Sequence, residues 1–567
     1  MISKKAVLLG GLSLLIGTAS VAAAKEAICS EQIMPTVLTA QKRPDAKNQR
    51  YDLTFIPKPD RKETLTVNGK AVPFYAYENR VYVSHPKAAE SESLTLYIPA
   101  AYLEGGRING YSAKTAPIFM PNGVGGYMPG KIQAPSETNR EGTGPNAVLY
   151  ALSRGYVVAA PAIRGRTTTN SENTYVGKAP ALIVDYKAAV RYLRHNRDRL
   201  PAGDTQRIIA NGTSAGGALS ALLGATGNSD AYEPYLKEIG AAKERDDIFA
   251  ASVYCPITDL SHADMAYEWI FSGVNTYFQQ QGPTQAAPSD RPLHAPQESL
   301  TEHSMTETEQ AISKELKAAY PAYVNALGLE TKDYGKLLLD AEGNGSFKDY
   351  IKGLYMASAQ KALDQGVNVS KTDWIQVSDG KVVDMDLSLY ALLATRLKAA
   401  PAFDKLDSSA PENDEFGTSD GTPRHFTRFS MDHRTDLRSM VPDKEARLIN
   451  PVSFLQEKEG KAAPHWRIRH GSLDRDTALA IPAELALLLQ KRGKDVNFEV
   501  AWEKVMQEIM TCQNCLIGWM ESAARNFTYP LGMKTALYKK RKKVEKSPFF
   551  RFFMIKSLDF KETISCH

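Results

Sequence analysis

The sequence predicts an α/β fold, a doubly wound and mostly parallel sheet interrupted by a large helical lid insertion. Three observations predict it. Short apolar runs alternate with helical patterns between residues 116 and 225. The same alternation resumes near residue 465. Between them lies a long, polar, helix-rich stretch without that punctuation, and 567 residues exceed what one hydrophobic core usually serves.

The elements follow in order. TLTVNGKAVPFYAY (64–77) and VYVSHP alternate polar and apolar residues, as strands of an antiparallel edge do. APIFMPN (116–122) and YVVAAPAI (156–163) are short apolar strands, and APALIVDYKAAVRYLRHN (179–196) has the three- and four-residue apolar spacing of a helix. RIIANG (207–212) is a strand, and SAGGALSALLGATG opens a helix. Loops such as QQQGPTQAAPSDRP mark the insertion. HWRIRHG (465–471), TALAIPAELALLLQKRG (477–493) and VNFEVAW (496–502) then read as strand, helix and strand. The expected division is a core of 25–230 and 425–525, a lid of 231–424, and an unassigned basic tail of 526–567.

MISKK, the apolar run AVLLGGLSLLIG and the small residues of TASVAAA read as a signal peptide, 1–24, cleaved after Ala24. A secreted or periplasmic protein without a membrane span is the expectation. The net charge of +5 is unevenly spread: residues 526–567 hold ten Lys/Arg against three acids, and residues 1–24 add two lysines. The body between sums to −4, which gives no electrostatic case for nucleic acid. Five cysteines do not make a disulfide framework. The lone pair Cys512 and Cys515 has no second pair and no nearby His, so neither zinc nor any other metal or cofactor is expected.

Gly212-Thr213-Ser214-Ala215-Gly216 fits G-x-S-x-G, with a strand running in and an alanine-rich helix running out. That context lifts a serine hydroxyl clear of the sheet and aims helix N-terminal N–H groups, Ala215's included, at a developing oxyanion. Ser214 is therefore the candidate nucleophile of an α/β-hydrolase. A second oxyanion donor is expected from NGVGGY (122–127), at Gly125 or Gly126. The acid should follow a late strand, where Asp474 and Asp476 stand, and a His should follow the next strand. None does until His567. A serine without a general base is a poor nucleophile.

The runs PNGVGGYMPG, IRGRTT, APALIVDYKAAVRY, NGTSAGGALSAL, DDIFAASVYCPI, HADMAYEW, PAFDKLD, PENDEFG and HWRIRHGSLDRDT resemble the bacterial tannases (tannin acylhydrolases) from about residue 50 to 502. The resemblance implies a serine esterase acting on galloyl esters. It assigns Ser214 as nucleophile, Asp474 as triad acid, and Gly126 and Ala215 as oxyanion donors. It also makes Lys398, Glu412 and Asp476 the groups that hold the phenolic hydroxyls, a fitting set because carboxylates accept from phenols and an ammonium donates to them.

The family continues W-x-x-P-H-[SA]-G-D-Y-D, and its His is the base. Here Met506 stands at that position. With suitable synonymous codons, reading 506–515 one nucleotide earlier gives His-Ala-Gly-Asp-Tyr-Asp-Leu-Pro-Glu-Leu. A frame slip over 506–515 accounts for both the missing base and the C-x-x-C pair; a diverged homologue without its base is the competing account. The remaining alternatives are a feruloyl or general carboxylesterase and a catalytically dead polyphenol-binding homologue.

Overall fold

Continuous apolar runs such as Pro117–Pro121 and Val157–Pro161 suit strands buried on both faces, and they lie at the centre of a nine-stranded sheet among the described residues. The computed structural model describes residues 50–280 and 300–506, except 140, 141 and 143. The signal segment, most of the suspected frame slip, the C-x-x-C pair and the basic tail lie outside them.

The strands are β1 (Arg61–Val67), β2 (Lys70–Val81), β3 (Ser93–Pro99), β4 (Pro117–Pro121), β5 (Val157–Pro161), β6 (Asp204–Thr213), β7 (Ala250–Tyr254), β8 (His465–Gly471) and β9 (Asp495–Ala501). Their spatial order is β1-β2-β3-β5-β4-β6-β7-β8-β9. β1 to β3 form an antiparallel edge and β3 joins β5 antiparallel. The other six strands are parallel. Helices cross over between them: α1 (Ala147–Ser153), α2 (Ala181–His195) and α3 (Ala215–Ala225). The chain winds from β4 to β5 on one side and returns to β6 on the other. Such a reversal opens a crevice at the carboxyl ends of the strands, where α/β proteins place ligands.

The strand and helix readings hold across this core except at VYVSHP, where the strand ends at Val81 and Val83 makes only an isolated bridge to Ala241. The polar face of α2 is not solvated. Lys187 is fully buried and donates to Asp246 at 2.8 Å, while Asp185 is held by Arg164 at 2.6 Å. These partners come from the segment after β5 and from the segment after α3, which carries the short helix Glu233–Glu238.

The insertion differs from its expected bounds. β7 belongs to the central sheet although it falls inside 231–424; the sheet resumes at His465, where the strand–helix alternation was read to resume, and described residues 425–464 add no strand to it. AASVY is short and three of its five residues are small, so it gives little strand signal. Between β7 and β8 the chain builds α4 (Leu260–Phe271), α5 (Glu307–Leu327), α6 (Ser346–Asp364) and the one-turn α7 (Pro411–Glu415), with small two-stranded ribbons between them. α8 (Ala480–Lys491) then links β8 to β9. Among the described residues no helix is long and apolar enough to cross a membrane.

Candidate active site

Ser214 sits at the β6–α3 turn with φ 57° and ψ −125°, half-buried, its N–H donating to the carbonyl of Tyr254 at 3.0 Å. The two flanking glycines are required by close approach. A Cβ on Gly212 would lie 2.2 Å from the Gly216 carbonyl oxygen, and one on Gly216 would lie 2.5 Å from both Asn122 Oδ1 and the Val124 oxygen. Ala215 is the first residue of α3, where backbone N–H groups have no intrahelical acceptor.

The loop after β4 is bound to this turn by a residue the sequence reading did not single out. Asn122 Nδ2 faces the carbonyls of Asn211 and Gly216, each at 3.0 Å, and Ser220 Oγ at 2.9 Å. Its Oδ1 accepts from Val124 N–H at 3.2 Å. Gly126 follows with φ 54°. Its carbonyl turns outward to accept from Arg166 Nε at 3.0 Å, and Arg166 Nη1 reaches Asp414 in α7 at 2.6 Å. Arg166 thus ties the Gly126 loop to the helix that carries Glu412, and Lys178 grips the other oxygen of Asp414 at 2.5 Å.

Asp474 follows β8 and is buried. Its Oδ1 accepts from the backbone N–H of Asp476 at 2.9 Å, the Cys255 thiol donates to the carboxylate, and among the described residues no N–H or O–H donates to its Oδ2. Burial pushes its carboxyl up to about 6. His470 Nδ1 stands 3.5 Å from Asp474 Oδ2. His470 is fully buried, neither ring nitrogen has a hydrogen-bond partner among the described residues, and burial holds it down to about 3. A neutral imidazole so reluctant to take a proton is unsuited to general-base work at neutral pH.

Met506 is buried against Tyr254 and Cys255, with Ala501 packed on the same cluster. Cys255 in turn adjoins Asp474. The position read as that of the missing base therefore holds a thioether in an apolar cluster near the carboxylate. The loop that brings it there is pinned by the Glu503 N–H on Ser472 Oγ at 2.7 Å and by the Leu473 N–H on the Lys504 carbonyl at 3.0 Å.

Lys398, Glu412 and Asp476 come together from three separate segments. Lys398 Nζ donates to the Asp476 carbonyl at 2.8 Å and lies 4.0 Å over the Phe403 ring. Burial raises Glu412 and Asp476, and Lys398 opposes both shifts. Tyr267 in α4 locks two of these segments, since its hydroxyl donates to the Arg475 carbonyl at 2.9 Å and accepts from Leu397 N–H at 3.2 Å. Beneath it Arg396 pairs with Glu268 at 2.5 Å, both fully buried. Asn122, Arg166 and Tyr267 escaped sequence reading because their contacts span tens to hundreds of residues; each does fall within a run quoted for the resemblance.

Sheet, elbow and crevice together define a hydrolase of the α/β type. The family model described as BD-FAE matches residues 125–284. A comparison with curated proteins finds no match. Solved structures do match. The Lactobacillus plantarum tannase in an orthorhombic crystal is 43% identical with a TM-score of 0.79, over 83% of this chain and 100% of that one. The Fusobacterium nucleatum tannase is 42% identical with a TM-score of 0.79, over 83% and 99%. A tannin acyl hydrolase in complex with ethyl gallate is 42% identical with a TM-score of 0.74, over 82% and 98%. The chain belongs to the bacterial tannase family and is a carboxylic ester hydrolase by descent.

Proposed function

We propose that this chain is a secreted or periplasmic tannase whose machinery for galloyl esters is complete except for its base, so that its catalysis as written is impaired. Ser214 attacks the ester carbonyl, the N–H groups of Gly126 and Ala215 receive the oxyanion, and Asp474 orients a base when one is supplied. Lys398, Glu412 and Asp476 hold the phenolic hydroxyls of the acyl group. The convergence of these three charges beside Asp474 supports a polyhydroxylated acyl group over a feruloyl one, because missing hydroxyls leave buried polar groups unpaired. The related complexes with ethyl gallate and 3,4-dihydroxybenzoate support the same chemical class.

The observation that carries the impairment is Met506 packed against Cys255 beside Asp474, whose Oδ2 accepts from no N–H or O–H among the described residues. We expect methyl gallate hydrolysis by this chain at only the residual level left by oxyanion hole and binding, about 10³–10⁴-fold over water. A version carrying the restored 506–515 frame is expected to turn over methyl gallate at enzymatic rates and methyl ferulate poorly. Loss of that activity in Ser214→Ala checks the nucleophile. Ordinary turnover by the unrestored chain would overturn the reading, and sequencing the gene across codons 500–520 tests the frame slip. The same Met506 favours a second reading, a polyphenol-binding protein without turnover. Gallate binding by calorimetry, with the gene frame intact, would select it.

A further inference from the structure

Cys255, His470 and Asp474 each offer a ligand atom, and these atoms all lie within 4.8 Å of one another. The three residues sit at adjacent strand ends. Tyr254 in β7 pairs with Arg469 in β8, the Cys255 N–H donates to the Arg469 carbonyl at 2.7 Å, and Asp474 closes the loop that follows β8. The cluster is dry: Cys255 and His470 are fully buried and Asp474 is 2% exposed.

What distinguishes it from a packed core is unmet bonding capacity. Among the described residues both His470 nitrogens lack hydrogen-bond partners and Asp474 Oδ2 receives no N–H or O–H, while the Cys255 thiol donates to this carboxylate. A buried polar atom left unsatisfied costs about 1–3 kcal/mol, so a fully buried imidazole with both nitrogens unmet calls for a physical explanation. A thiol, an imidazole held neutral and a carboxylate are the S, N and O donors that zinc-type ions take.

We propose that Cys255, His470 and Asp474 form a buried three-ligand site for a thiophilic divalent cation of the zinc type. Uptake forms one bond each from the cation to Cys255 Sγ, a His470 nitrogen and Asp474 Oδ2, and releases the Cys255 proton to solvent. Affinity therefore rises with pH. Tetrahedral zinc separates its ligand atoms by roughly 3.3–3.7 Å; His470 Nδ1 and Asp474 Oδ2 already stand at 3.5 Å, and separations of up to 4.8 Å close by about 1 Å around it. The fourth position stays open. The site uses Asp474, so an ion held there withdraws the carboxylate from a base and would inhibit a base-restored enzyme.

The site goes beyond the esterase reading, and its test does not depend on turnover. The full chain with Cys29, Cys512, Cys515 and Cys566 all changed to Ser is titrated with Co²⁺. One equivalent bound with thiolate-to-cobalt charge-transfer absorption, displaced by Zn²⁺, is the expected result, since Cys255 is then the sole thiol. His470→Gln in that background should weaken binding at least about tenfold, and Cys255→Ser should abolish the absorption. Circular dichroism shows whether each variant folds. Should Cys255→Ser not fold, the four-serine chain and His470→Gln decide the matter alone. Absence of the charge-transfer band in the folded four-serine chain overturns the proposal, as does uptake that His470→Gln leaves unchanged.

Discussion

Asn122 engages both ends of its amide to hold the loop after β4 against the β6–α3 turn. Asn122→Ala in the frame-restored chain should lower kcat for methyl gallate by about 10–100-fold, the scale of a mis-set oxyanion donor. It should also cost about 1–3 kcal/mol of stability by stranding buried carbonyls, as urea unfolding would read. His470 makes a second prediction. Below its ordinary range near 6.5 the unfolded chain takes up a proton there, whereas the folded chain refuses it until about 3. Native stability from this residue is therefore lost as pH falls through that window. His470→Gln should gain on the parent by about 3 kcal/mol between pH 6.5 and pH 4. Asp474, pushed up to about 6, runs the other way and is common to both chains. Ser214 was legible because its motif and flanking elements are local. Asn122 was not, since nothing near it in sequence announces partners at 211 and 220.

Among elements, α4 is the hub of the insertion. Glu268 on it pairs with Arg396 and accepts from Ser313 of α5 at 2.6 Å, so one carboxylate joins α4, α5 and the segment leading to Lys398. Arg396→Met leaves that carboxylate buried and unpaired and should cost about 3–5 kcal/mol in urea unfolding. Adding Glu268→Leu should recover most of the loss. If the single variant unfolds like the parent, the pair does not hold the insertion. Five of the six parallel strands were readable in the sequence. β3 and β7 were missed, the first because SLTLYIP sits in a polar stretch, the second because AASVY is short. The insertion's layout was illegible for a different reason: its cohesion lies in buried polar pairs, and sequence periodicity carries no information about which charge meets which.

For the molecule as a whole, the site is assembled from the β4, β6 and β8 ends, the β5–α2 loop and the insertion, so its parts could be named in sequence but their meeting could not. Lys398, Glu412 and Asp476 illustrate this, three charges that look like solvated surface until the fold brings them together. Arg166 has a wider consequence. One guanidinium holds the Gly126 carbonyl with one nitrogen and Asp414, two residues from Glu412, with another. On the proposed assignment, the pocket for the ring and the cradle for the carbonyl are mechanically one part. An acyl group that seats its hydroxyls fully also settles the cradle, so free energy gained far from the scissile bond lowers the barrier itself. Discrimination among phenolic esters should then appear in turnover more than in apparent affinity. Arg166→Lys should blunt it, narrowing the kcat ratio of methyl gallate to methyl ferulate in the frame-restored chain while the two KM values change less.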